Sequence, residues 1–338
     1  MKIILLFLLL ISFLFGQEDQ QDSSYTLGSG KKVGSLPLYL GGYFSTDYRS
    51  TPETQHNRFR VDDIAFLAYG SSNKFSYMSE LEYKEFYVKE WSDGNTSIQK
   101  HNKLRIERLY LDYNYDENLV LRVGKYNSPI GYWNLMPINV LRATTSSPLS
   151  SSMIYPKYTT GIDLSYLLFS DYEVKVDFLA QNNNDFDDAY NNFHIDKHYG
   201  VGVTYSKNDL SLKLNGGYFH TKKKVLPSDD IYYWLASLKY DNDHFKIMGE
   251  LGTQFDKNGL LVPYSGYIQG MYRITEQHLP VIRFESYSSN VLLGRKKDQF
   301  VILGYTYRPV FPMAFKAEYQ LHEDNEKDKV LFSFSVMF

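Results

Sequence analysis

From Leu38 to Phe338 the apolar residues recur at every second position, and no stretch takes up helical spacing. Lys74 to Tyr83 shows the pattern most clearly. Phe75, Tyr77, Leu81 and Tyr83 alternate there with Lys74, Ser76, Glu80 and Glu82. Such alternation specifies strands with one apolar and one polar face. The apolar faces need either a core or lipid to meet.

The start of the chain selects between these. Met1-Lys2 is followed by an apolar run, Ile3 to Phe15, broken only by Ser12, and then by small Gly16 and polar Gln17-Glu18-Asp19-Gln20. A short basic start, an apolar stretch and a small residue make a secretory signal peptide, expected to span residues 1–16 and to be cleaved near Gly16. The run is too short for a spanning helix, which needs about 20 residues. No later stretch approaches that length, and mean hydropathy is −0.38 with 22% charged residues. A chain of this kind can enter a membrane only as a closed barrel, because lipid tolerates no unpaired backbone group. The 31 Tyr and 22 Phe suit aromatic girdles at the two interfaces. Zero Cys removes thiol chemistry, and a net charge of −3 says nothing about partners.

Sixteen strands are expected, at about residues 37–48, 58–70, 74–87, 104–115, 118–126, 158–169, 172–181, 198–206, 209–220, 230–240, 244–255, 263–274, 279–287, 298–308, 312–322 and 329–338. Short links such as Asp116-Glu117 and Lys207-Asn208 alternate with long ones at 88–103, 127–157, 182–197 and 221–229. That is the plan of an all-β, antiparallel transmembrane barrel with tight periplasmic turns and longer external loops. Residues 17–36, polar and with three Gly, read as a flexible periplasmic tail before a single barrel domain, 37–338.

In the last ten residues Val330, Phe332, Phe334, Val336 and Phe338 share one face, and Lys329, Ser333 and Ser335 the other. This ending resembles the signal read by the barrel-assembly machinery of Gram-negative bacteria, which places the chain in the outer membrane, in contact with lipid and lipopolysaccharide. The hairpin from Glu107 to Asn134 carries Arg108-Leu-Tyr-Leu-Asp-Tyr113 and then Val123-Gly-Lys-Tyr126, Pro129 and Gly131. It resembles the strand–turn–strand of the phosphate-selective porin O/P family and wider porin relatives, over roughly 30 residues. The resemblance implies a sixteen-stranded, trimeric pore whose third external loop folds inward; here that loop is 127–157. Phosphate selectivity is not implied, since no dense ladder of Arg and Lys is visible.

Strand parity puts Arg108, Asp112, Arg122, Lys175 and Asp177 on the lumen side, with Lys213, Lys246, Glu250, Arg283, Glu285, Lys316 and Glu318 farther round. Loop 127–157 contributes Arg142 and Lys157 and contains no Asp or Glu. A passive channel for small hydrophilic solutes with weak anion preference is therefore expected, with neither cofactor nor metal and no nucleic acid partner. Near-cancelling lumen charges are an equal reading. A non-conducting adhesin or structural barrel stays open, as does an outer-membrane enzyme, although eight scattered His come with no supporting motif. His194 and His198 read as independent residues. Asp185, Asp187 and Asp188 read as a solvated loop or a divalent-ion bridge to lipopolysaccharide. Trp91, Trp133 and Trp234 read as girdle or loop anchors, with Trp133 also a candidate sugar platform.

Overall fold

The computed structural model describes residues 25–222, 228–291 and 296–338. The expected signal peptide and the first part of the expected tail lie outside them. Sixteen antiparallel strands form the wall: β1 (Tyr39–Thr51), β2 (His56–Ser72), β3 (Phe75–Ser92), β4 (Arg105–Asn114), β5 (Leu119–Asn127), β6 (Tyr158–Phe169), β7 (Glu173–Asn182), β8 (Ile195–Lys207), β9 (Leu210–Thr221), β10 (Asp230–Asp241), β11 (Phe245–Asp256), β12 (Gly259–Tyr272), β13 (His278–Ser289), β14 (Lys296–Tyr307), β15 (Met313–His322) and β16 (Lys329–Met337). Each pairs with its sequence neighbours. β16 returns to β1 over Val330–Ser50 to Met337–Tyr43, which closes the sheet and leaves no edge. At the seam Phe338 N donates to Gly42 O at 2.8 Å and Gly42 N to Phe338 O at 2.7 Å.

The two faces differ as period two demands. Leu109, Leu111, Val123, Ile162, Leu164 and Phe332 point outward and exposed, while Glu80, Asp112, Asp177, Gln269, Glu285 and Ser333 are buried inside. An exposed apolar belt around a polar interior is the inverse of a water-soluble sandwich and matches a lipid-facing barrel. Three features depart from the sequence expectation. Residues 25–32, expected as tail, form a small ribbon (Tyr25–Thr26 with Gly30–Lys32) whose Lys31 and Lys32 pair with Leu40 and Tyr39 at the start of β1. At the loop end, β1–β2 and β11–β12 continue to tight turns, because regular pairing extends farther than the alternation of hydropathy. A short extra strand, Asn95–Lys100, prolongs the hairpin of β3.

Strand length sets the shape of the wall. About 9–11 tilted residues cross a bilayer, which β4 and β5 nearly match with 10 and 9. β2 and β3 have 17 and 18 and must rise beyond it.

Candidate functional site: the inner loop and the lumen

Between β5 and β6 the chain leaves the wall and runs through the interior. Pro129, Pro137, Pro148 and Pro156 deny this segment a regular ladder. It keeps only two short 3-10 turns and one helical turn, Ser150–Met153. Its backbone polar groups are satisfied by side chains of the opposite wall. Glu250 of β11 accepts from Tyr132 N at 2.6 Å and Trp133 N at 2.9 Å. Glu285 of β13 accepts from Leu149 N at 2.9 Å, and Glu318 of β15 from Thr145 N and from Ser146 N at 3.0 Å. Carbonyls are met in turn by cations: Lys316 donates to Asn139 and Arg283 to Ser146 O at 3.1 Å, and Arg283 also donates to the Thr144 hydroxyl at 2.7 Å. The Glu250 carboxylate lies so close to the chain that the residue just before its two donors has no room for a side chain. Gly131 meets that need, since a Cβ there would lie 2.6 Å from Glu250 Oε1, and its φ is +66°.

Apolar packing completes the seat. Ile130, Ile154 and Tyr155 of the loop pack on Leu179, Phe219, Tyr233 and Leu235 of the inner wall. Ile138 and Val140 pack on Tyr43, Ala65 and Leu67. The lumen is therefore partly filled by an apolar core, which strand alternation does not reveal.

The space left beside the loop is a cavity of about 830 Å³ towards the long-loop end, bounded by Tyr43, Asp47, Glu82 and Glu107 on one side and Trp133, Arg142 and Lys157 on the other. A second, about 300 Å³, lies at the short-turn end under Met248, Met271 and Arg308, and Trp133 lines both. Trp133 is buried, with the guanidinium carbons of Arg142 and Arg283 5.8 and 5.5 Å from its ring centre. Arg142 is itself tied down, its Nε donating to Met136 O at 2.7 Å. Its positive charge therefore has a fixed place.

Of the residues expected to line the lumen, Arg142, Lys157, Arg283 and Glu285 border the larger cavity. Arg283 pairs with Glu285 at 2.8 Å under the loop. Arg122 grips Asp112 through two bonds of 2.7 and 2.8 Å, and Lys175 meets Asp177 at 2.7 Å. These two pairs face inward, near the short turns. Arg108 is bound to Glu80 in the wall between β3 and β4. Of the assembly-signal residues, Phe332 is exposed outward, and Phe338 lies against Gly42, where a Cβ would meet its ring at 3.0 Å. His198 is buried between Thr159 and Tyr233, whereas His194 bonds Asp188 within the loop between β7 and β8, so the two histidines serve separate contacts.

Sequence reasoning missed Arg49, Arg58 and Arg60. Arg60 bridges Asp47 at 2.6 Å and Glu85 at 2.8 Å, and Arg58 also meets Glu85 at 2.8 Å. A register shift between Val61 and Asp63 reverses parity midway along β2 and hides Arg58 and Arg60 from a simple alternation count. Arg49 keeps the inward parity of Asp47 and lies just past the expected end of the first strand. With them the cavity is bordered by 11 Lys or Arg against 7 Asp or Glu, a net positive lining.

Lys157, on the inner loop and half-buried, lies near Arg142 and Lys84; burial first, and then these like charges, lower its ammonium to about 8. It is charged below that pH and neutral above. Any anion preference of the cavity should weaken as pH rises through about 8, and Lys157→Met should flatten that dependence. Reversal potentials from pH 6 to 10 check both.

A closed antiparallel barrel of sixteen strands is the fold of outer-membrane porins. Solved structures bear the likeness out. Salmonella typhi OmpF, solved with daunomycin, matches with a TM-score of 0.61 at 12% identity, over 89% of this chain and 97% of that one. Pseudomonas putida OprB at high pH matches with a TM-score of 0.64 at 9% identity, over 89% and 94%. The channel DcaP of Acinetobacter baumannii matches at 0.55 and 13%, over 92% and 100%. No family model and no curated protein matches the chain. The resemblance to the phosphate-selective porin O/P family thus rests on its hairpin alone.

Proposed function

We propose that the chain is a general porin of a Gram-negative outer membrane, a passive channel for small hydrophilic solutes in which residues 128–157 form the constriction. The observation that carries this reading is the loop itself. Carboxylates of β11, β13 and β15 hold its backbone across the lumen and leave a charged cavity on the opposite side. A structural barrel needs no inner loop held in this way. The excess of Lys and Arg at that cavity supports weak anion preference. An enzyme reading has no sequence motif around the eight His to support it. Export by a signal peptide, insertion by the barrel-assembly machinery through the strand ending at Phe338, and a homotrimer in contact with lipopolysaccharide complete the proposal.

Planar-bilayer recording tests it. The folded protein should conduct, with a reversal potential of anion-preferring sign in a KCl gradient. Arg142→Glu should move that potential towards cations, because it inverts a charge fixed beside the cavity. A barrel that inserts and never conducts sinks the channel reading; an unmoved potential in the variant removes the loop from the conduction path.

A further inference from the structure

A bulge in β4 turns two consecutive side chains into the lumen. Arg108 pairs in register with Glu80, and Ile106 with Leu81, so Glu107 is the extra residue and is buried beside Arg108. Bulges re-aim side chains in this way. The result is a cluster of three carboxylates, Glu80, Glu82 and Glu107, with one oxygen from each within 4.8 Å of the others. Glu80 is 0% and Glu82 1% exposed.

Protons are too few for these oxygens. The single hydroxyl proton of Tyr43 stands between Glu82 Oε2 and Glu107 Oε2, both at 3.0 Å. Tyr158 donates its hydroxyl to Glu107 Oε1, and Arg108 Nε serves Glu80 Oε2. Glu80 Oε1 and Glu82 Oε1 remain enclosed without any hydrogen-bond partner. Buried carboxylate oxygens are normally paired, because desolvated charge is costly to leave uncompensated. Here a second and third carboxylate lie beside each orphaned one, and Asp63 adjoins Glu82. Among the described residues Arg108 makes the only salt bridge to the three.

We propose that this cluster binds a divalent cation, Ca²⁺, with Glu80, Glu82 and Glu107 as ligands and the Tyr43 and Tyr158 hydroxyls holding the carboxylates in place. The donor set is all oxygen and strongly anionic, which suits a hard cation that takes several carboxylate ligands in flexible geometry. Glu82 and Glu107 also border the large cavity, which gives an ion a way in from solvent. The site depends on the wall and on the bulge, and stands whether or not the barrel conducts.

Equilibrium dialysis of the folded, detergent-solubilised protein against Ca²⁺, after EDTA treatment, measures it directly. The unsubstituted chain should retain one Ca²⁺ and melt at a higher temperature with it than without. Glu82→Gln and Glu107→Gln should each lose both the ion and the Ca²⁺-dependent rise in melting temperature. Asp171→Asn, in the exposed short turn between β6 and β7, should keep both. Equal Ca²⁺ binding by the glutamine variants overturns the assignment. So does an unsubstituted, folded barrel that retains no Ca²⁺, a result that needs no variant and would leave shared protons to balance the cluster.

Discussion

Barrels carrying Glu250→Ala together with Glu318→Ala should conduct in two levels, the larger well above that of the unsubstituted protein. These two carboxylates accept the backbone N–H groups of Tyr132, Trp133, Thr145 and Ser146. Removing them orphans four donors, at about 1–3 kcal/mol for each group that stays buried. Opposing release, Ile138 and Val140 stay packed on Tyr43, Ala65 and Leu67, at about 1.5–3 kcal/mol per fully buried side chain. Lys316 still holds Asn139, and Arg283 still holds Thr144 and Ser146, which brings the opposing sums close together, so the middle of the loop should exchange between seated and released positions. Ile130, Ile154 and Tyr155 should hold the two ends of the segment in place. Single-channel recording and exclusion of sized polymers read the result. A single level of unchanged conductance and unchanged exclusion would show that the loop does not set the bore.

Gly124→Ala should prevent the barrel from forming. A Cβ at this position would stand 2.2 Å from Leu109 O and 2.7 Å from Tyr110 Cα. Both atoms belong to the backbone of β4, which cannot yield without breaking its pairing with β5. The φ of +131° adds about 1–3 kcal/mol of conformational strain for any side chain. The expected outcome is loss of the heat-resistant folded form on electrophoresis and of the strand signal in circular dichroism. A variant that folds and melts like the parent would mean that the hairpin tolerates a different register.

That glycine also shows what was legible in the sequence. Val123-Gly-Lys-Tyr126 and Gly131 stand out as a motif, and the structure assigns backbone reasons to both glycines: close approach to β4 at one, a seat for Glu250 at the other. Strand number and the inward or outward sense of most side chains follow from period two, because lipid and water sort faces by polarity alone. Height within the barrel does not follow. Arg122 and Lys175 have the same parity as Arg283, yet only Arg283 borders the large cavity, since depth depends on where each turn falls. Arg58 and Arg60 lie beyond a shift in register, and a bulge leaves no mark in hydropathy. Nor could alternation reveal the apolar seat of the loop. Residues such as Ile231, Tyr233 and Leu235 sit in a strand that is apolar on both faces, and nothing local says which of them meets lipid.

The wall grips the inner loop largely by its main chain, with glutamates on β11, β13 and β15 reading amide hydrogens rather than side-chain identity. Position and chemistry are thereby uncoupled where that segment faces the cavity and not the wall. A substitution at Ser147, which borders the cavity and takes no part in these bonds, can change what the opening favours while the mooring stays intact. Such a design gives selection, natural or in the laboratory, a way to retune permeability without having to solve the folding of the barrel again.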